Sequence, residues 1–159
     1  MTTSAAVFAW LTYGTFAAGS VALGVIDART KRLPDRIVFP LYGSGLAGLT
    51  LASWLGRDRG ALVTALASMA VLYGLFYLLA MFGPMGYGDV KLAGVLGLHL
   101  GWLGLSVVYA GVLLGTVGAA LVALTLLALR RARIGETQIP YGPYLLAVAW
   151  AAIALHLAR

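Results

Sequence analysis

Residues 61–82, ALVTALASMAVLYGLFYLLAMF, form a continuous apolar run without a charged side chain, and this run decides the fold class. A transmembrane helix needs about 20 apolar residues, with a usual range of about 17–25. Backbone amides in lipid must be paired internally, so only helices and closed barrels are suitable. Barrel strands alternate in polarity over about ten residues, whereas this run is uniformly apolar. It therefore predicts a membrane-spanning α-helix.

The composition of the whole chain also favours a membrane protein, because 62% of its 159 residues are hydrophobic and only 10% are charged. Soluble domains carry about 25% charged residues. Membrane lipids are therefore expected partners. The net charge of +6 does not indicate nucleic acid, because the basic residues lie in short loops between apolar runs. The absence of cysteine excludes disulfides, thiolate-bound metals and a cysteine nucleophile.

Six apolar segments predict an all-α polytopic membrane protein with about six transmembrane helices, in a single domain over residues 1–159. The fourth helix is predicted to be short, because residues 101–104, GWLG, offer a turn inside a long uncharged stretch. About 12 residues reach only ~18 Å, against a hydrocarbon core of ~30 Å, so the preceding loop is expected to dip into the membrane. The predicted helices cover residues 5–26, 37–55, 61–82, 89–100, 105–129 and 141–157.

The basic residues predict an orientation, because eight of the 11 Lys and Arg fall on one side of the six spans. The positive-inside tendency places that side in the cytoplasm and both termini outside. The eight are Arg29, Lys31, Arg32, Arg36, Lys91, Arg130, Arg131 and Arg133, and the other three are Arg57, Arg59 and Arg159.

Two of the five acidic residues directly adjoin apolar segments, Asp27 at the end of the first predicted helix and Asp89 at the start of the fourth. Carboxylates at a membrane boundary are costly and tend to have a function. Structural interpretations are also open, with Asp89 as a helix N-cap and Asp27 as a partner of Arg29 or Lys31. Asp35 is expected to cap the second helix.

If the first and fourth helices pack together, their cytoplasmic ends bring Asp27 and Asp89 close to each other. Two carboxylates that share a site do not both ionise easily, so the pair holds one proton. One member can then activate water while the other protonates a peptide oxygen, which is the chemistry of an aspartic protease. That chemistry requires neither a metal nor a cofactor, and none is expected.

Three segments resemble the type IV prepilin peptidases, which are GxGD aspartyl proteases of prokaryotic membranes. Residues 26–40 contain the Ile-Asp and Leu-Pro-Asp elements, residues 86–92, GYGDVKL, match the GxGDxKL signature, and residues 139–143, IPYGP, are similar to a late Ile-Pro-Phe-Gly-Pro segment. The resemblance covers about residues 24–147 and implies that Asp27 and Asp89 are the catalytic pair. Substrate-binding or site-supporting roles are expected for Gly86, Gly88, Lys91, Pro140, Gly142 and Pro143.

The resemblance implies an intramembrane endopeptidase of a prokaryotic plasma membrane. It would cut the leader from a prepilin or pseudopilin precursor at the cytoplasmic face. Such a precursor has a short basic leader followed by a hydrophobic helix. Longer members carry paired CxxC motifs and also N-methylate the product, whereas this chain, without cysteine, resembles the minimal peptidase form. The alternatives are a proton-coupled transporter or channel, and a non-catalytic membrane subunit of a pilus or secretion assembly.

Three further features have structural interpretations. Lys91 either marks the membrane interface or attracts an acidic group of the substrate. His99 and His156 lie near predicted helix ends and are expected at the interface. Gly97 and Gly101 form a GxxxG pattern, which predicts close helix packing.

Overall fold

The computed structural model describes residues 2–82, 86–128 and 141–158, and that part of the chain contains six α-helices and no strand. The all-α class predicted from the sequence is therefore confirmed. The helices are α1 (Thr3–Thr30), α2 (Asp35–Gly56), α3 (Arg59–Phe82), α4 (Tyr87–Leu103), α5 (Leu105–Ala128) and α6 (Tyr141–Leu157).

The helices have the length and surface of a membrane bundle. Each of the first three, α1, α2 and α3, is long and apolar enough to cross a membrane, and shorter apolar segments, Leu105–Gly115 and Gly142–Leu157, lie in α5 and α6. Large apolar side chains such as Trp54, Val71 and Phe82 are exposed on the outside of the bundle. Lipid accommodates such side chains at no cost, because its own chains are apolar. The chain is thus a multi-pass membrane protein.

The first helix is longer than the sequence predicts, since it continues beyond residue 26 to Thr30. Its end is set by Lys31, which has a φ of 52° in the left-handed region and donates its N–H to the carbonyl oxygen of Asp27 at 2.8 Å. Hydrophobicity does not mark this end, because polar residues can extend a helix until a left-handed residue stops it. Asp27 consequently lies inside the last turn, with helical residues on both sides.

The fourth helix is shorter than α1, α2 and α3 but longer than predicted. It has 17 residues, which at about 1.5 Å per residue span ~26 Å. It runs through Trp102 to a break at Gly104, where φ is 126°. Trp102 remains helical and donates its indole N–H to the hydroxyl of Ser53 on α2 at 2.8 Å. At ~26 Å the helix is shorter than the ~30 Å hydrocarbon core by less than predicted. Residues 83–85, in the loop that is expected to dip into the membrane, lie outside the described residues.

The centre of the bundle is α4, because every residue from 92 to 101 is buried. Helices α2, α3, α5 and α6 all pack against it. The approach to α3 is closest at Gly97 and Gly101, where an added Cβ would lie 2.5 Å from the carbonyl oxygen of Ser68 and 2.9 Å from the Cα of Ala65, respectively. The close packing predicted from the GxxxG pattern is confirmed.

His99 is not at the interface, contrary to the prediction, but is completely buried in α4. Its ring stacks on Phe16 of α1 with centroids 4.2 Å apart. Its Nδ1 lies 2.8 Å from the carbonyl oxygen of Val95, one turn earlier. These two contacts hold the ring inside the bundle, while its Nε2 is buried without a hydrogen-bond partner among the described residues. His156, by contrast, is exposed in the last turn of α6.

Substitution of Gly97 by alanine is expected to destabilise the bundle by about 1–3 kcal/mol, because the added methyl group meets the α3 backbone and requires overpacking. Gly74→Ala on α3 is the matched control, because a Cβ at Gly74 has nothing within 4 Å. Equilibrium unfolding in detergent micelles measures both variants. Equal stability of the two would contradict the tight α3–α4 approach.

Candidate active site

Asp27 lies in the last turn of α1, and its side chain is turned into the bundle. The residue is 4% exposed. Its Oδ2 accepts a hydrogen bond from the backbone N–H of Gly142 at 3.1 Å. Gly142 is the second residue of α6, so the carboxylate lies at the N-terminus of that helix. Free N–H groups and a partial positive charge at a helix N-terminus stabilise a carboxylate there.

Asp89 lies in the first turn of α4, two residues after the helix begins at Tyr87. Gly86 is the N-cap and has no side chain to contribute. The N–H of Asp89 instead donates to the carbonyl oxygen of Gly86 at 3.0 Å, and Oδ2 of Asp89 lies beside Gly86, 3.6 Å from the position of an added Cβ. The N-cap of α4 is therefore Gly86. The interpretation of Asp89 as the N-cap is wrong.

One cavity of about 310 Å³ contains both carboxylates. It lies at the end of the bundle where α1 ends and α2, α4 and α6 begin, which we call the Asp27 end. The two carboxylates are close enough for their charges to repel each other. The other lining residues are Lys31, Arg32, Leu33, Gly86, Tyr87 and Gly88. The structure thus brings together the two acids that the sequence singled out, which lie 62 residues apart in the chain.

Gly88 lines this cavity in close contact with the loop between α1 and α2. An added Cβ would lie 3.0 Å from the Cβ of Leu33. A glycine at this position lets the turn before Asp89 approach that loop closely. The expected supporting role of Gly88 therefore has a geometric basis in this approach.

The third motif supplies Gly142, whose N–H contacts Asp27, and Pro143, which is partly buried in the first turn of α6. Pro140 lies outside the described residues. The motif in the sequence predicted a supporting role for Gly142. It did not predict the hydrogen bond to Asp27, because the donor is a backbone N–H and every residue except proline has one. An added Cβ at Gly142 would lie 2.7 Å from Oδ2 of Asp27, so little space separates the two residues.

Asp35 does not cap α2, contrary to the prediction. The N-cap is Pro34, which makes no side-chain capping bond, and Asp35 is the first helical residue. Its Oδ1 lies 2.6 Å from Nζ of Lys91 on α4. Among the described residues this is the one ion pair, so neither Arg29 nor Lys31 pairs with Asp27 there. The ammonium group of Lys91 thus forms an ion pair with Asp35. Neither interpretation of Lys91 from the sequence included this ion pair.

A larger cavity of about 450 Å³ lies at the opposite end of the bundle. Its lining is mainly aromatic and aliphatic and includes Trp10, Trp102 and Trp150, with Asp58 as its one acidic residue. Asp58 has a structural role, because its Oδ1 accepts the N–H of Ala61 at 2.9 Å at the start of α3. Size alone would favour this cavity, and His156 and Tyr13 also line it, but aspartic-protease chemistry requires two carboxyl groups that share a site. The smaller cavity, with two carboxylates, is the candidate active site.

Comparison with known proteins identifies one family along most of the sequence. Residues 14–129 match the type IV leader peptidase family. A prepilin leader peptidase/N-methyltransferase of Stutzerimonas stutzeri is 38% identical over 143 residues, which cover 85% of this chain and 46% of that protein. Proteins with the same name from Pseudomonas aeruginosa and Aeromonas hydrophila are 35% and 36% identical, over 85% and 84% of this chain and 46% and 45% of their own lengths.

The chain thus spans about half the length of the curated relatives it matches. No solved structure matches it significantly.

Proposed function

The chain belongs to the type IV leader peptidase family, and we propose that it is an intramembrane aspartyl endopeptidase that cuts the leader peptides of prepilin-like precursors. The observation that carries this proposal is the cavity that holds Asp27 and Asp89 together at the Asp27 end. The alternatives of a transporter or a non-catalytic subunit gain no support from the relatives, which are named as peptidases.

In the proposed reaction the two carboxyl groups share one proton. The protonated member donates to the carbonyl oxygen of the scissile bond, while the ionised member takes a proton from the water that attacks the carbonyl carbon. Collapse of the tetrahedral intermediate breaks the C–N bond. The leaving amine takes a proton from the pair, and the pair regains one from the intermediate, which restores the starting state.

The proposed substrate is a prepilin or pseudopilin precursor, with a basic leader in water and a hydrophobic helix in the bilayer. Two features support it. The relatives are named prepilin leader peptidases, and the cavity lies at the ends of membrane helices, where such a boundary can reach it. The proposal covers peptide cleavage alone, because the chain spans about half of relatives whose names also include an N-methyltransferase.

The proposed orientation puts the Asp27 end in the cytoplasm and both termini outside, in the inner membrane of a bacterium. The charges of the loops support it, because Arg29, Lys31, Arg32 and Arg36 are exposed at the Asp27 end. Arg57 and Arg59 are exposed at the opposite end. Basic residues favour the cytoplasmic side of a membrane.

Replacement of Asp27 or Asp89 by asparagine is expected to reduce the rate of precursor cleavage by ~10²–10⁴-fold, the usual contribution of a general acid or base. Asp58→Asn is the matched control, because it is an acid at the far end and asparagine caps a helix about as well. Cleavage of a labelled prepilin in detergent micelles measures all three. Wild-type rates in Asp27→Asn or Asp89→Asn would exclude the proposed catalytic pair.

Single cysteines test the orientation cleanly, since the chain has none. We expect Arg29→Cys to react with a membrane-impermeant maleimide only after the cells are opened. Arg59→Cys should react in intact spheroplasts. The reverse labelling pattern would place both carboxylates on the side away from a cytoplasmic leader.

The contact between Gly142 and Asp27 leads to a further prediction. In Gly142→Ala the added methyl group displaces the carboxylate of Asp27, and a displacement of about 1 Å can cost ~100-fold in rate. The fold should persist, because the atom displaced is the free end of a side chain. Gly24→Ala is the control at the same α1–α6 interface, where a Cβ would lie 3.9 Å from Leu146. Turnover and melting temperature are measured together, and unchanged turnover in Gly142→Ala would contradict the contact.

A further inference from the structure

Lys91 links the N-terminal turn of α4 to the first turn of α2. Its Nζ lies 2.6 Å from Oδ1 of Asp35. The same ammonium group lies 5.4 Å from the ring centroid of Phe39, one turn further along α2. Both contacts hold the side chain of Lys91 on α2, and Lys91 does not line the cavity of the two carboxylates.

The backbone of Lys91 is held by α2 as well. The hydroxyl of Tyr42 donates to the carbonyl oxygen of Lys91 at 2.7 Å. Tyr42 also fills the space beside Gly94, where a Cβ would collide with its hydroxyl oxygen. One residue of α4, two positions after Asp89, is therefore attached to α2 through both its side chain and its main chain.

A third contact lies on the other side of Asp89, where Gly88 packs against Leu33 just before α2 begins. Asp89 is thus flanked by Gly88 and Lys91, and both contact the segment from Leu33 to Tyr42. The start of α2 acts as a support along the turn that carries Asp89. Asp27 is held separately, through Gly142 of α6.

We infer that Asp35 and Lys91 are a positioning pair, which fixes the Asp89 turn against α2 so that Asp89 faces Asp27 across the cavity. The inference rests on the proposed function of that cavity and extends it to two residues that do not touch the reacting atoms. Asp35 acts through Lys91, and Lys91 acts through the helix turn that carries Asp89.

The expected effect is on turnover rather than on stability. The side chains of Lys91 and Asp35 are 30% and 53% exposed, and ion pairs of that kind contribute little to folding. Geometry in an active site is much more sensitive, because a displacement of about 1 Å can cost ~100-fold in rate. A pair that only stabilised the fold would change the melting temperature and turnover together.

The first test is a double-mutant cycle of Asp35→Asn and Lys91→Met, with cleavage of a labelled prepilin as the readout. Each single variant should lower kcat about 10-fold or more with little change in KM, and the double variant should be no slower than the slower single variant. Lys91→Arg should restore most of the rate, because it can still reach Asp35. Arg36→Gln is the control, an exposed neighbouring cation outside that ion pair.

The second test does not depend on proteolysis, and uses disulfide cross-linking in the cysteine-free chain. In the pair Leu33→Cys and Gly88→Cys the Cβ atoms would lie 3.0 Å apart, close to the ~3.5–4.5 Å that a disulfide needs. Adding Asp35→Asn should slow this cross-link several-fold. The pair Thr12→Cys and Gly48→Cys, at 3.2 Å between α1 and α2, is the control and should not respond.

The outcomes separate the inference from the function on which it rests. Wild-type kcat together with an unchanged cross-link in Asp35→Asn would overturn the positioning role, as would a loss confined to KM, which would assign Lys91 to substrate binding. Additive losses in the double variant would also overturn it, because the two residues would then act independently. If the wild-type chain cut no prepilin, the proposed function would fail, and the cross-link would still decide whether the pair positions the turn.

Discussion

A carboxylate buried at the end of a membrane helix must have polar partners, and the hydrogen bond from the backbone N–H of Gly142 to Asp27 satisfies this requirement. The bond fixes where α6 begins relative to α1. On the other side of the cavity, Asp89 lies in the first turn of α4, and its N–H donates to the carbonyl oxygen of Gly86. Asp27 belongs to the last turn of α1 but lies against the N-terminus of α6, and Asp89 lies in the first turn of α4. The partial positive charge of these two N-termini opposes the repulsion between the carboxylates. A glycine at position 142 lets this main-chain donor approach the carboxylate closely, because an added Cβ there would lie 2.7 Å from Oδ2 of Asp27.

This arrangement depends on α4 reaching the centre of the bundle. A helix buried from residue 92 to 101 needs close neighbours on every side. Gly97 and Gly101 provide the close approach to α3, while Gly94 makes room for Tyr42 of α2. Because proteins within a membrane gain little from burying apolar surface between helices, small residues and dense packing must supply the cohesion. The glycines of α4 thus contribute to both the packing and the position of Asp89.

The sequence predicted the all-α fold, the approximate helix bounds and the proximity of Asp27 and Asp89. Apolar runs and the few acidic residues beside them can be recognised within single segments of the sequence. It was wrong about Asp35, where the favoured local interpretation was a helix cap. The actual partner, Lys91, is 56 residues away and becomes adjacent only when α2 packs on α4. His99 was misplaced for a similar reason, since its stacking partner Phe16 lies on α1. The spacing of residues within one segment does not predict contacts between segments that are distant in the sequence.

The end of α1 and the length of α4 show a second limit. At α1, polar residues continue the helix beyond the apolar run, so the run underestimates the helix. At α4, the helix continues through Gly101–Leu103, where the sequence predicted a turn. The true ends lie at Lys31 and Gly104, and both have positive φ. These ends matter for the site, because the extra turn of α1 after residue 26 makes Asp27 an internal helical residue. Its carboxylate can then face α6 rather than open water.

The central claim is that Asp27 and Asp89 act as one unit on a peptide bond, and binding of a transition-state analogue tests it most directly. The probe is a prepilin leader peptide whose scissile amide is replaced by a hydroxyethylene group, and calorimetry in detergent micelles gives its Kd. The account predicts that the wild-type chain binds it at least ~10²-fold more tightly than the parent peptide. Asp27→Asn and Asp89→Asn should each lose that preference while still binding the parent peptide. If either variant preferred the analogue over the parent peptide as strongly as the wild-type chain does, the account would be contradicted, because the analogue would then be held without the carboxylate pair.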